Sequence, residues 1–387
     1  MVLKTAQPIR RVGVIGGGQL AWMMAPAAQA LGLELVVQTP QPDDPAVAIA
    51  AATVLAGVAD VAATAALAEQ CDVITFENEL IDCQGLQPLA QQGVRFRPSL
   101  AVLDLVLDKA GQRQCFDRLG LVSPGYAILE AGAELGQLTQ RAQAIGFPLV
   151  IKRRRLGYDG YGTRVVAGPE QLGPAWASLG HQPVLLEEFV PFKKELAVMV
   201  ARSEAGQVAL YPTVETQQVD QICRRVLAPA EVSPAVQATM ASLAHTLAEG
   251  LDLVGILGIE CFLTQDDQVL INEIAPRTHN SGHYSLDACQ TSQFEQQLRA
   301  VSDRPLGPTD LTCPRAVMVN LLGLGAAGID YQAKRQQLQQ LPASHLYWYN
   351  KASRLGRKLG HVTLCLGPED DPAQVAQRIE ALWYGRD

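Results

Sequence analysis

The 387-residue chain is 48% hydrophobic, with a formal net charge of -8 and a sequence pI near 5.4. That length exceeds the roughly 250 to 300 residues at which a single core stops growing, so two or three domains are expected. The acidic balance argues against a general nucleic-acid or membrane-surface binder. MVLKTAQPIRRVGVIGGG passes from a basic pair straight into a strand-like run, and no apolar span of about 18 residues occurs, which predicts a cytoplasmic protein. The eight cysteines are scattered without a CxxC pair and read as structural thiols.

RVGVIGGGQLAWMMAPAAQALGLELVVQT reads as a strand, a glycine turn, a helix and a second strand. Further strand candidates at CDVITFENE and GVRFRPS, with alanine-rich helical stretches between them, predict a doubly wound α/β domain over residues 1–105. In GGGQ at 16–19, backbone N–H groups at a helix start can hold an anion. The acidic residue that a dinucleotide fold places after the second strand is missing, because ELVVQTPQPDDP offers Gln38 and Thr39 instead.

From residue 106 the character changes. FPLVIKRRR, TRVVAG, PVLLEEFVPF, KELAVMVAR, GQVALYPTVE, GILGIECFLT and QVLINEIAP predict an α+β region with mainly antiparallel sheet, closed by the SQFEQQLRAV helix near residue 305. Its VIKRRRLGYDGYGTRVV segment delivers Lys152 from a strand into a loop with Gly157, Gly160 and Gly162. Backbone donors of such a loop can cover phosphates while the lysine supplies a point charge; the bland alternative is a hairpin with a solvated basic face. Glu187, Glu188, Phe189 and Val190 can meet an adenine edge through backbone and carboxylate. Glu260, Asn272 and Glu273 on neighbouring strands offer hard oxygen ligands suited to Mg2+ beside phosphate oxygens.

NEIAPRTHNSGHY places His279 and His283 four residues apart, which admits a capped turn or a zinc site, although a third zinc ligand has no candidate motif. After the proline- and glycine-rich linker at 307–314, residues 306–387 form a small third region with RAVMVNLLG, HVTLCLG and a terminal helix. Lys351, Arg354, Arg357 and Lys358 lie close together there, either as a solvated face or as an anion site.

The order of these parts resembles the ATP-grasp superfamily. GGGQL, TFENE, LGYDGYG, NEIAPRTHNSGHYSLDACQTSQFEQQLRAV and YWYNKASRLGRKLGH are further similar to the successive signatures of the 5-(carboxyamino)imidazole ribonucleotide synthase family, from about Arg11 to His361. The resemblance implies an α/β and α+β multidomain chain: an ATP-grasp fold, an N-terminal doubly wound pre-ATP-grasp domain and a small C-terminal domain. It implies carboxylation of 5-aminoimidazole ribonucleotide with bicarbonate, using ATP and Mg2+, by a homodimer in purine biosynthesis, with possible transfer of the product to a downstream mutase. No nucleic acid or membrane is expected as a partner.

Carried over by position, the nucleotide would meet Lys109, Lys152, Gly157, Tyr158, Asp159, Gly160, Tyr161, Gly162, Thr163, Glu187, Glu188, Phe189, Val190, Glu195, Gln218, Asn272 and Glu273. Glu260 and Glu273, with Asn272, would hold the metal. Asp159, Arg277, His279 and Asn280 would surround the reacting carbon, leaving His283 to turn structure and SLDACQTSQFEQQLR to support the motif. Gln19, Leu20, Glu77, Lys351, Arg354, Arg357 and Lys358 would bind the ribonucleotide, the four cations taking its phosphate and GGGQ facing the monophosphate. Trp22, Tyr161, Thr163, Thr216, Gln218 and Tyr347 depart from the family pattern. The rival readings are another acyl-phosphate ligase, such as a formate-dependent glycinamide ribonucleotide transformylase, a non-catalytic nucleotide sensor, and a zinc hydrolase.

Overall fold

The structure, a computed structural model, describes residues 8–155, 162–325 and 328–385. The expectations for Gly157, Tyr158, Asp159, Gly160 and Tyr161 lie outside the described residues.

Strands β1 (Arg11–Ile15), β2 (Glu34–Thr39), β3 (Ala52–Leu55) and β4 (Val73–Phe76) form a parallel sheet in the order β3-β2-β1-β4. Its strands β1 and β4 are buried along nearly their whole length, which is why RVGVI and VITF read as continuous apolar runs. GVRFRPS does not become a full strand: it contributes a single parallel bridge from Ile74 to Phe96, and Pro98 brings no N–H with which to extend the ladder.

Strands β5 (Tyr126–Leu129), β6 (Leu149–Arg153), β7 (Thr163–Val166) and β8 (Val184–Glu188) form an antiparallel sheet in the order β5-β8-β6-β7. The helices Leu135–Ile145 and Pro169–Ser178 pack on it through Leu138, Ala142, Leu172 and Trp176.

The third sheet contains β9 (Phe192–Arg202), β10 (Val208–Leu210), β11 (Val214–Val219), β12 (Ile222–Ala228), β13 (Gly255–Thr264), β14 (Val269–Ala275), β15 (Arg315–Leu322), β16 (Ser344–Trp348) and β17 (Lys358–Leu366). β9 shows how two faces serve two purposes. Leu196, Val198 and Val200 face the long helix Pro234–Gly250, whereas Ala197, Met199 and Ala201 lie in the core beside Tyr284 and Ala288 of the NEIAPR segment. The strand alternates sides with period two, so its small residues leave depth where the polar motif must lie.

The residues after 306 do not build an independent sheet. β15 pairs antiparallel with β12, with Arg225 opposite Val319, and β17 and β16 continue outward. The helix Pro372–Tyr384 closes their core with buried Ala376, Ile379 and Trp383. All eight cysteines are free thiols. Among the described residues no helix is long and apolar enough to cross a membrane.

Candidate active site

Charge is concentrated where β6, β8 and β14 approach the helix Lys109–Arg118. Asp108 caps that helix by accepting the Ala110 N–H at 2.9 Å and holds Arg154 through both its oxygens. Lys109 Nζ lies 2.5 Å from Glu273 Oε2. Lys152 Nζ lies 2.6 Å from Glu187 Oε2 and donates to Asn272 Oδ1 at 3.0 Å. Burial pulls the Lys152 ammonium below its ordinary range, against the opposing pull of Glu187.

Arg113, a residue the sequence reading passed over, completes this group. Its Nε donates to Glu187 Oε1 at 2.6 Å and its Nη2 to the Asn272 carbonyl at 2.7 Å, and both Arg113 and Glu187 are buried. Burial alone would raise the Glu187 carboxyl, but Lys152 and Arg113 hold it below its usual range. Both Glu187 oxygens are engaged by cations. Glu188 is exposed, Phe189 is partly exposed and Val190 is buried, so the outward carboxylate of the hinge belongs to Glu188. Gly162 lies beside Arg153, and Thr163 is the register partner of Lys152.

Glu260 and Glu273 face one another as register partners of β13 and β14. Burial, then the charge of Glu273, pushes the Glu260 carboxyl well above the usual carboxylate range, while Lys109 above all holds Glu273 below it. Two carboxylates this close cannot both ionise cheaply unless a cation joins them. A divalent cation would fit: Glu260 and Glu273 would supply hard carboxylate oxygens and leave room for phosphate oxygens and water. Among the described residues no cluster of three or more His, Cys, Asp or Glu side chains offers a closed metal cage. Asn272 Oδ1 already accepts from Lys152, so its amide stands in the ammonium network as well as beside the carboxylate pair. Further along the same face, burial pushes the Glu195 carboxyl up to about 7, opposed by a hydrogen bond from Gln218.

His279 stands beside this pair. Its Nε2 is 3.4 Å from Glu260 Oε1, and its Nδ1 is 2.8 Å from Ser281 Oγ. Arg277 forms an ion pair with Glu79 at 2.7 Å, tying the NEIAPR segment to the N-terminal domain. Asn280 makes a reciprocal amide pair with buried Asn320 of β15, at 2.9 and 2.7 Å. Its amide is thus set by the C-terminal strands, a relationship no local motif signals.

His283 is buried away from this group, 3.1 Å from Gln293 Nε2 and 5.0 Å ring to ring from His361. Burial keeps its imidazole far below its usual pKa. The assignment of His283 to structure agrees with this placement, and the two histidines do not converge on a zinc position.

On the other side of the cleft, Glu77 accepts the Gly18 N–H at 2.5 Å and the Leu20 N–H at 3.0 Å. The expectation that GGGQ turns its N–H groups toward a phosphate is corrected here: the anion at this helix start is the chain's own carboxylate. A side chain at Gly16 or Gly18 would collide with Glu77. Lys351 hydrogen-bonds Gln19 and lies 5.6 Å from the Tyr349 ring centroid. Burial lowers the Lys351 ammonium, Glu77 opposes that shift, and Arg357 and Lys358 add to it. Arg357 is lowered by burial and then by Arg354, and it donates to the Ala352 carbonyl at 3.0 Å. The charge of Lys358 also lowers the Glu260 carboxyl, against the larger upward push of burial and Glu273. Cations crowded enough to repel one another make a receptive site for a dianion.

The ATP-grasp domain family matches residues 114–294, the ribonucleotide synthetase preATP-grasp domain family matches residues 9–106, and the phosphoribosylaminoimidazole carboxylase C-terminal domain family matches residues 316–378. An N5-carboxyaminoimidazole ribonucleotide synthase from Synechococcus elongatus is 56% identical over 388 residues, covering 98% of this chain and 97% of its own length. Among solved structures, carboxyaminoimidazole ribonucleotide synthase from Aspergillus clavatus complexed with ATP superposes with a TM-score of 0.91 at 32% identity, covering 97% of this chain and 98% of its own. The same enzyme in complex with ADP and 5-aminoimidazole ribonucleotide gives a TM-score of 0.90 at 31% identity over the same shares.

Proposed function

This chain belongs to the N5-carboxyaminoimidazole ribonucleotide synthase family, and from that premise we propose that its two charged regions form one pocket for ATP-dependent carboxylation. The reaction joins bicarbonate to the amine of 5-aminoimidazole ribonucleotide, with ATP converted to ADP and phosphate by way of carboxyphosphate, in purine biosynthesis. The observation that carries the assignment of parts is the continuity of charge from Lys152 and Lys109, through Glu260, Glu273 and His279, to Lys351 and Arg357.

Lys109 and Lys152 orient the transferred phosphoryl and take up its developing charge. Glu260 and Glu273, with Asn272 beside them, hold Mg2+, which supplies further neutralisation of the triphosphate. Glu188, Phe189 and Val190 meet the adenine. Lys351, Arg354, Arg357 and Lys358 hold the ribonucleotide phosphate, and Gln19, Leu20 and Glu77 border that pocket. Nitrogen attack on the activated carboxyl carbon forms the C–N bond, phosphate departs, and the amine must lose a proton. We assign that proton to His279, a reading supported by its position beside the carboxylate pair, with Nε2 3.4 Å from Glu260 Oε1. Arg277 and Asn280 fix the loop around the carbon, with Asp159 assigned there from sequence.

The proposed division of the chain is 1–105, 106–305 and 306–387. In support, the four parallel strands end at Phe76, and the strands after 306 share one core with the terminal helix. A homodimer, a cytoplasmic location and delivery of the product to a downstream mutase belong to the same proposal.

The assay is phosphate release from ATP and Mg2+ with 5-aminoimidazole ribonucleotide, with and without bicarbonate. Release that requires bicarbonate and the ribonucleotide supports the proposal; release driven by formate and glycinamide ribonucleotide favours the transformylase reading.

A further inference from the structure

The helix Gln293–Val301 carries three fully buried glutamines, Gln293, Gln296 and Gln297, where apolar residues would pack at lower cost. Each amide holds backbone from a segment outside the helix. Gln296 clasps Gly307, donating to its carbonyl at 2.6 Å and accepting its N–H at 2.9 Å. Gln297 accepts the Ile256 N–H at 2.7 Å and donates to Thr75 Oγ1 of β4 at 2.7 Å.

Gln293 applies the same device to the reaction loop. Its Oε1 accepts the His279 N–H at 2.9 Å, and its Nε2 donates to the His279 carbonyl at 2.7 Å. The Gln293 N–H donates in turn to Ser285 Oγ at 2.9 Å, and that hydroxyl donates to the Gly282 carbonyl at 2.6 Å. Two glycines leave the loop no slack: a Cβ at Gly282 would lie 2.5 Å from Gln293 Oε1, and one at Gly258 would lie 2.7 Å from His279 Cβ. The helix therefore fixes both backbone polar atoms of His279, and the sheet lies against its side chain at Gly258.

We propose that Gln293 is the positioning residue of His279, acting through the His279 backbone to set the imidazole beside Glu260. The proposal rests on His279 serving the proton step described above. Because an active-site displacement of about 1 Å can cost on the order of 10²-fold in rate, loss of this clasp acts on turnover and not on substrate affinity.

The test compares five purified full-length variants with the wild type, reading kcat and KM for ATP and for the ribonucleotide. Gln293→Met is expected to lower kcat on the order of 10²-fold while both KM values stay near wild type. Gly282→Ala removes no polar group but drives a methyl against Gln293, and it should show the same split should Gln293→Met fold poorly. Gln296→Met, which releases only Gly307, should keep its kcat. In combination with His279→Ala, Gln293→Met should add no further loss, since one acts through the other. A fully active Gln293→Met or Gly282→Ala beside an inactive His279→Ala overturns the proposal alone. Losses that multiply in the double variant also overturn it. A His279→Ala enzyme at the wild-type rate overturns the underlying assignment of His279, and the proposal with it.

Discussion

Glu260 and Glu273 sit opposite one another on β13 and β14, and Lys109 pairs with Glu273. The pair divides its charge unequally: Glu273 stays ionised, and Glu260 keeps its proton above the ordinary carboxylate range, chiefly because of burial. A folded state that holds a proton the unfolded chain has released loses stability as pH rises from the ordinary carboxylate pKa toward the raised one. Glu260→Gln should therefore raise the melting temperature of the ligand-free protein more at pH 8 than at pH 5, while abolishing Mg2+-dependent turnover. Thermal unfolding of both proteins at the two pH values checks this, and equal shifts would contradict it.

Arg113 is the least replaceable cation of the nucleotide side. Removing it leaves the buried Glu187 with Lys152 as its remaining ion-pair partner and strands the Asn272 carbonyl. Breaking a buried ion pair from one side costs about 3 to 5 kcal/mol, so Arg113→Leu should lower the denaturant midpoint by that equivalent. KM for ATP should rise too, as Lys152 is drawn to Glu187. Unchanged urea unfolding would disprove the network's role.

The basic loop predicts a different kinetic signature. Arg354 is exposed and Arg357 part-buried, so their attraction for a phosphate is screened by salt. Arg354→Ala should raise KM for the ribonucleotide about tenfold, a loss of about 1.4 kcal/mol, with kcat preserved. The wild-type KM for the ribonucleotide should rise between low and physiological ionic strength, and the variant's KM should rise less.

His283 and His361 predict acid sensitivity. Burial holds both imidazoles neutral, His361 with its pKa lowered to about 3 and His283 also far below the ordinary value. In the unfolded chain each takes a proton near pH 6.5, so stability falls as pH drops below that value. Each should contribute about 1.4 kcal/mol per pH unit. His361→Phe should show a shallower decline in melting temperature from pH 6.5 to 5 than the wild type.

The legible part of this molecule was local. Alternating or continuous apolar runs announced β1, β4, β9, β13 and β14, whereas the division of the two histidines of the NEIAPR segment between chemistry and turn came from the family resemblance and not from their spacing. What stayed hidden depends on partners far apart in the chain. GGGQ looked open to a phosphate because nothing near it reveals that Glu77, 59 residues on, fills its N–H groups. Arg113 carried no signal because its partners Glu187 and Asn272 lie 74 and 159 positions away. ICRRVLA was passed over as a strand, and with it the pairing of β12 to β15 that joins the last region to the central sheet. Gln293, Gln296 and Gln297 lie in the segment read as support for the motif, but that all three are buried against backbone has no local signal.

The central claim is that bicarbonate is phosphorylated and its carbon passed to the amine of the ribonucleotide. The direct measurement uses bicarbonate labelled with 18O and 13C, mixed freshly with enzyme, ATP, Mg2+ and 5-aminoimidazole ribonucleotide. Because the bond from a bicarbonate oxygen to phosphorus survives when the carbon is released to nitrogen, one 18O should appear in the phosphate for each 13C-carboxylated product. Phosphate without 18O, or 18O-phosphate formed with no labelled carbon on the ribonucleotide, would contradict the account.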